Sequence, residues 1–254
     1  MTNSKIVSIH SFRGGTGKSN TTANIAASVA RSGKRVAVVD TDIQSPGIHV
    51  LFGFEEGDIK NSLNDFLWGH CAIKDASYDV SNLLQKHSNK GRIFLVPSSI
   101  KTGDIARILK EGFDFDLLCD GFYELIDELE LDYLFIDTHP GLNEETLLSI
   151  SISDIMIIVL RPDSQDFQGT AVTVEVARRL GVPKLLLTIN KALPNLDFGD
   201  LKQKVEKTYN VPLAGILPHS EDMMHLQSNG IFYLHQPNHP LSKVITSIAK
   251  EISK

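Results

Sequence analysis

Cysteine is scarce in this chain. Its 254 residues hold two, Cys71 and Cys119, far apart in the sequence. They make no CxxC pair and no metal-ligand spacing, and free thiols in a reducing compartment are expected. Long apolar runs are lacking too. The longest, Ile155–Leu160, is far too short to span a bilayer. The N-terminus runs straight into a strand-like segment, which fits no secretory signal, so a cytoplasmic location is expected. Net positive charge is also missing: 25 Lys and Arg against 31 Asp and Glu give a formal charge of −6. The general electrostatic footprint of nonspecific nucleic-acid binding is therefore absent. There is no internal repeat and no low-complexity linker. Length and composition suit a soluble globular protein with a sizeable core, expected to be one domain over residues 1–254.

The charge is uneven. Residues 111–132 contain nine acidic side chains and no basic one, which leaves the remainder net positive. Leu118, Phe122, Leu125, Ile126 and Leu129 recur there near helical spacing. The pattern predicts an amphipathic helix with a solvated acidic face. The alternative is a docking surface for a basic partner.

Apolar, β-branched runs alternate with helical patterns along the chain. Strands are predicted at 5–10, 35–40, 92–97, 133–137, 154–160, 184–190 and 213–217. Most are continuously apolar, as strands buried on both faces of a parallel sheet are. Helices are predicted at 18–31, 61–68, 104–110, 116–130, 144–151, 166–180 and 198–209. The alternation points to an α/β fold, doubly wound, with a mostly parallel sheet flanked by helices on both faces. Residues 53–90 are the least legible. They hold short helical patterns and run into a polar stretch at 85–91, and they either cover a sheet edge or face a partner.

One glycine is missing at a telling place. Residues 11–20 read Ser-Phe-Arg-Gly-Gly-Thr-Gly-Lys-Ser-Asn, between a predicted strand and an Ala-rich predicted helix. A glycine-rich turn at a helix N-terminus is an anion site, because its amides and the helix dipole both favour negative charge. Gly17-Lys18-Ser19 adds an ammonium for terminal phosphates and a hydroxyl for magnesium. The stretch reads as a nucleoside triphosphate site. A full phosphate loop carries glycine at position 12, where this chain has Phe12 followed by Arg13.

Three later strand ends carry polar groups. The strand at 35–40 runs into Asp40-Thr41-Asp42-Ile43-Gln44-Ser45-Pro46-Gly47. In open α/β sheets ligands bind beyond the carboxyl ends of strands, so Asp40 and Asp42 can order magnesium-bound waters and an attacking water. The same residues also suit a plain polar strand end with a turn. The strand at 133–137 ends in Asp137-Thr138-His139-Pro140-Gly141. An aspartate closing an apolar strand is the usual second magnesium anchor of phosphate-loop proteins. Gly141 lets a backbone amide approach a γ-phosphate closely. His139 invites a catalytic role, but its neighbours favour loop packing. The strand at 184–190 ends in Asn190-Lys191, and an asparagine amide can read a purine edge. After 213–217 come Pro218-His219, which can wall the base.

With these residues the chain resembles the MinD/ParA family of deviant Walker ATPases. The resemblance covers nearly the whole chain and rests on the order and spacing of the loop and the three strand ends together. It implies an ATPase that binds ATP and Mg2+, dimerises face to face around two nucleotides and separates after slow hydrolysis. It implies nucleotide contacts at Gly14, Gly15, Thr16, Gly17, Lys18, Ser19 and Asn20, and at Asp40, Gly141, Asn190 and Pro218. Ser19, Asp137 and Asp42 would hold magnesium. Asp42, Lys18 and Arg13 would be catalytic. The departure is Arg13, where the family has a lysine that reaches the partner's phosphates. Arginine is a permanent cation with a two-donor fork, so it can serve as a trans-acting finger with different reach. Partners implied are a second copy and an unidentified protein or activator.

Other readings remain beside that one. DNA binding is not favoured by the acidic charge, although Lys202, Lys204 and Lys207 share one predicted helix. Membrane binding is not favoured either. The C-terminal face of Leu241, Val244, Ile245, Ile248 and Ile252 is expected to pack on the sheet. An iron–sulfur carrier would need the missing CxxC pair. A synthetase of the dethiobiotin-synthetase type is the remaining alternative.

Overall fold

The computed structural model describes residues 4–84 and 90–254, so most of the polar stretch at 85–91 lies outside the described residues. Eight strands form one sheet: β1 (Lys5–His10), β2 (Arg35–Asp40), β3 (Tyr78–Asp79), β4 (Arg92–Val96), β5 (Tyr133–Asp137), β6 (Ile155–Leu160), β7 (Lys184–Ala192) and β8 (Leu213–Pro218). Their order is β3-β4-β2-β5-β1-β6-β7-β8, and every pairing is parallel except β3 with β4. The helices are α1 (Lys18–Arg31), α2 (Ile48–Leu51), α3 (Leu63–Leu67), α4 (Thr102–Glu111), α5 (Phe115–Glu128), α6 (Glu144–Ser151), α7 (Ser164–Arg179), α8 (Phe198–Tyr209), α9 (Glu221–His225), α10 (Phe232–His235) and α11 (Pro240–Ile252).

The apolar runs are buried on both faces, as parallel strands covered by helices must be. All six residues of β6 are buried. One face packs under α1, α10 and α11, and the other under α3, α5, α7 and α8. Several helix starts follow side-chain caps that satisfy the first amides. Asp114, Asn143, Asp163, Asp197 and Ser220 each accept from an amide of the helix that follows. Those caps move α5 and α7 one or two residues upstream of their predicted starts.

The structure bears on three open points of the sequence. The 53–90 segment supplies β3, which pairs antiparallel with β4 and so covers that edge of the sheet. On α5, Leu118, Phe122, Leu125 and Ile126 are buried while Asp116, Asp120, Glu124 and Asp127 face solvent, the predicted division. On α11, Leu241, Ile245, Ile248 and Ile252 are buried in the core shared with α1 and β8. The approach is close: a Cβ at Gly215 of β8 would lie 2.9 Å from Ile248. Among the described residues no helix is long and apolar enough to cross a membrane.

Candidate functional site

β1 lies between β5 and β6, so the loop that follows it sits over the middle of the sheet. Register brings three strand ends to one level: Ile9 pairs with Asp137, and Asp40 pairs with Asp137. The loop therefore faces the carboxylates of β5 and β2. Gly15 (φ 77°) and Gly17 (φ 88°) take left-handed conformations that side chains rarely adopt. Gly17 is the N-cap of α1, and no side chain caps that helix. Its first amides are thus open to a ligand, although α2, α4 and α10 also lack side-chain caps.

Lys18 is buried beneath the loop. Its ammonium lies 3.0 Å from Asp137 Oδ1 and 3.9 Å from Asp42 Oδ2. The Thr22 hydroxyl, one turn along α1, donates to Asp137 Oδ1 at 2.9 Å. Asp40 is fully buried and accepts from the amides of Asp42 (3.1 Å) and Gly47 (3.3 Å). Burial pushes the Asp40 carboxyl up to about 8, and the neighbouring Asp137 adds to the rise. Asp42 is also raised, first by burial, with Lys18 opposing. One ammonium therefore faces three acids, and burial favours the neutral form of Asp40.

Two acceptors in this cluster, Asp42 Oδ1 and Asp137 Oδ2, are buried with no hydrogen-bond partner. Such atoms call for a donor or a cation. Ser19 stands half-buried on the first turn of α1. The described residues contain no cluster of three or more His, Cys, Asp or Glu placed to hold a metal by themselves. A magnesium ion held by one hydroxyl, phosphate oxygens and water needs no such cluster, and this donor set fits it.

A family model described as an AAA domain (AAA_31) matches residues 4–191. The septum site-determining protein MinD of Bacillus subtilis is 26% identical over 251 residues, covering 96% of this chain and 87% of that one. The chain belongs to the MinD/ParA family of P-loop NTPases. An uncharacterized ATP-binding protein of Methanocaldococcus jannaschii is 26% identical over 247 residues, covering 97% of this chain and 86% of that one. The septum site-determining protein MinD of Pyrococcus horikoshii, solved in complex with Mg-ADP, shares the fold with a TM-score of 0.80 at 21% identity. That alignment covers 99% of this chain and 96% of the other.

Within this MinD/ParA frame the expected residues fall into two groups. Gly15, Thr16, Gly17, Lys18, Ser19, Asp40, Asp42 and Asp137 gather at the loop. Others already have protein partners, some of them in the loop itself. The Gly141 amide donates to the Ser11 carbonyl at 3.1 Å, so it must release that bond before it can reach a phosphate. Asn190 Nδ2 donates to the Thr16 carbonyl at 2.8 Å, and its Oδ1 accepts from the Lys191 amide at 2.9 Å. Arg13 lies 3.4 Å from Asp166 and 3.7 Å from Asp163, at the start of α7. Arg161 pairs with the same two carboxylates at 3.1 and 3.2 Å. His139 turns Nδ1 to the Pro140 carbonyl at 2.7 Å and Nε2 toward Asp42 at 3.8 Å. It is both a loop-packing residue and a neighbour of the acid. Pro218 ends β8, where it pairs with Ala192.

Several site residues carry no motif. Thr22 was findable, since it lies one helical turn from Lys18. Asp163 and Asp166 were not, because they match no motif and meet Arg13 only through the fold. Gly169 on α7 admits the Phe12 ring: a Cβ there would lie 2.1 Å from it. His10, the last residue of β1, is fully buried, with Nδ1 at 2.8 Å from the Thr138 hydroxyl.

Burial, with Lys18 nearby, pushes the His10 imidazole down to about 3 from its ordinary 6.5. The unfolded chain then binds a proton below 6.5 that the folded one refuses. Stability from this group is complete above that value and falls by about 1.4 kcal/mol per pH unit on acidification. Asp40 and Asp42, raised, act in the opposite sense. His10→Asn is expected to flatten the loss of thermal stability between about pH 6 and about pH 4 relative to the parent. An unchanged slope would show that His10 is not the group responsible.

Proposed function

We propose that the protein is a Mg-ATP-dependent dimerisation switch with slow hydrolysis, used to position, partition or regulate a partner protein. The observation that carries this reading is the pairing of an uncapped α1 N-terminus with a buried ammonium and two buried, unpartnered carboxylate oxygens. Lys18 and the amides of Gly15 to Ser19 would hold the phosphates, and the Asn190–Pro218 side of the site would hold adenine. Ser19, with Asp137 acting through water and Asp42 beside it, would hold Mg2+, which supplies charge neutralisation at the phosphate oxygens. Asp42 would orient the attacking water, and Asp40 fixes Asp42 by accepting its amide. Turnover can be slow because the switch serves timing rather than flux.

Arg13 would act across the dimer. In the single copy it rests on Asp163 and Asp166, and Arg161 stays on both carboxylates when Arg13 leaves. Its departure therefore leaves no buried carboxylate unpaired. Arg13→Ala is expected to reduce ATP-dependent dimerisation while leaving ATP binding by the single copy intact. Sedimentation velocity with and without ATP measures this, and unchanged dimerisation would remove Arg13 from that role. The synthetase alternative differs in its requirements. It needs an added small molecule for stoichiometric ATP consumption, whereas the switch turns over ATP without one.

A further inference from the structure

Two consecutive residues at the end of β7 grip two consecutive carbonyls of the phosphate loop. Asn190 Nδ2 donates to Thr16 O at 2.8 Å, and Lys191 Nζ donates to Gly15 O at 2.8 Å. We infer that Asn190 and Lys191 are positioning residues that hold the loop's anion-binding amides in place before any ligand arrives. This inference rests on the nucleotide reading above and adds a second role for Asn190.

The argument is stereochemical. A trans peptide is planar, and its carbonyl and amide point in opposite directions. Drawing the Gly15 carbonyl toward β7 turns the Thr16 amide the other way, into the loop. Drawing the Thr16 carbonyl does the same for the Gly17 amide. These are two of the donors that a phosphate would meet. The contact is tight: a Cβ at Gly17 would lie 2.4 Å from Asn190 Nδ2 and 3.7 Å from Lys191 Cε. Gly17 thus admits the brace as well as the turn.

β7 is built to deliver these groups. Its pairing with β8 is irregular between Ile189 and Ala192. Lys191 stands inside that irregularity at φ 56°, a left-handed conformation uncommon for a lysine. A bulge re-aims a side chain that regular strand geometry would point elsewhere. Such backbone persists where its surroundings hold it, and here the Nζ–Gly15 bond and the Asn190 Oδ1–Lys191 amide bond do so. Each amide atom of Asn190 makes one of the two hydrogen bonds open to it, so a donor and an acceptor remain for a purine edge while the brace is held.

The test uses a ligand with no base. Affinities for inorganic tripolyphosphate, Mg-ADP and Mg-ATP are measured by calorimetry on the full chain. Asn190→Ala, Lys191→Ala and Lys191→Gly are each expected to weaken all three by about tenfold, the scale of one lost hydrogen bond. Lys191→Gly relieves the backbone and removes the ammonium, so its matching loss assigns the effect to the ammonium. Lys191→Arg, which keeps a donor, is expected to retain most of the affinity. Hydrogen exchange at the amides of residues 15–19 in the ligand-free protein gives a second readout, with faster exchange expected in Lys191→Ala. Unchanged exchange there, or unchanged tripolyphosphate binding in that variant, overturns the brace. If Asn190→Ala weakens the nucleotides but not tripolyphosphate, Asn190 reads the base and the inference is wrong. A parent protein that binds none of the three overturns the nucleotide reading itself, and the brace with it.

Discussion

Lys18→Ala is expected to lose ATP hydrolysis by at least about 10²–10³-fold, the cost of removing one preorganised donor to developing charge. ATP affinity falls with it, because the ammonium is the one side-chain cation buried under the loop among the described residues. A second effect separates this lysine from a surface one. Lys18 is 3.0 Å from Asp137 and 3.9 Å from Asp42, all three nearly buried. Removing one member of a buried ion pair costs about 3–5 kcal/mol, so the ligand-free variant should unfold more readily. Asp40 and Asp42 are already raised by burial while Lys18 holds them down. Without it they rise further, so the destabilisation is largest at alkaline pH and shrinks on acidification. Thermal unfolding across pH, with calorimetric ATP binding, reads both effects. ATP binding and turnover at parent levels would refute the assignment.

Asp42→Ala is the counterpart that should part binding from chemistry. Hydrolysis is expected to fall by about 10²–10⁴-fold, the usual contribution of a positioned acid or base. ATP affinity should stay within a few fold, because Lys18 and the loop amides, not Asp42, are assigned to the phosphates. The variant should collect as an ATP-bound dimer by sedimentation and retain partners in a pull-down that the parent releases. Asp42 is fixed for the task. Its amide is held by Asp40, its Oδ1 faces His139 at 3.8 Å, and its Oδ2 faces Lys18. A variant that no longer binds ATP would place Asp42 in binding instead.

Much of this was legible from residue order alone. The continuously apolar strands announced a parallel sheet, and register then brought Asp40, Asp42 and Asp137 to the loop as the strand ends implied. α6 and α8 match their predicted spans because their apolar spacing and capping residues agree. β3 was not visible, since two residues carry no periodicity and their pairing is set by β4. The site was legible where motifs lie on the chain and opaque where function depends on what a side chain meets. Asn190, inside β7, and Gly141, beyond the end of β5, are each bonded to the loop or the residue before it. The resting place of Arg13 depends on Asp163 and Asp166, far away in sequence and close only after β1 and β6 pair.

Phe12 and Gly169 carry a last consequence, for inheritance. The ring at position 12 occupies the space that any side chain at position 169 would need, with 2.1 Å left for a Cβ. The two positions are therefore not free to drift separately. With the ring in this position a bulky residue at 12 favours glycine at 169, and a lineage with glycine at 12 can put a side chain at 169. Paired substitution across relatives would leave this signature in sequence data, and a family rich in bulky residues at both positions would contradict it.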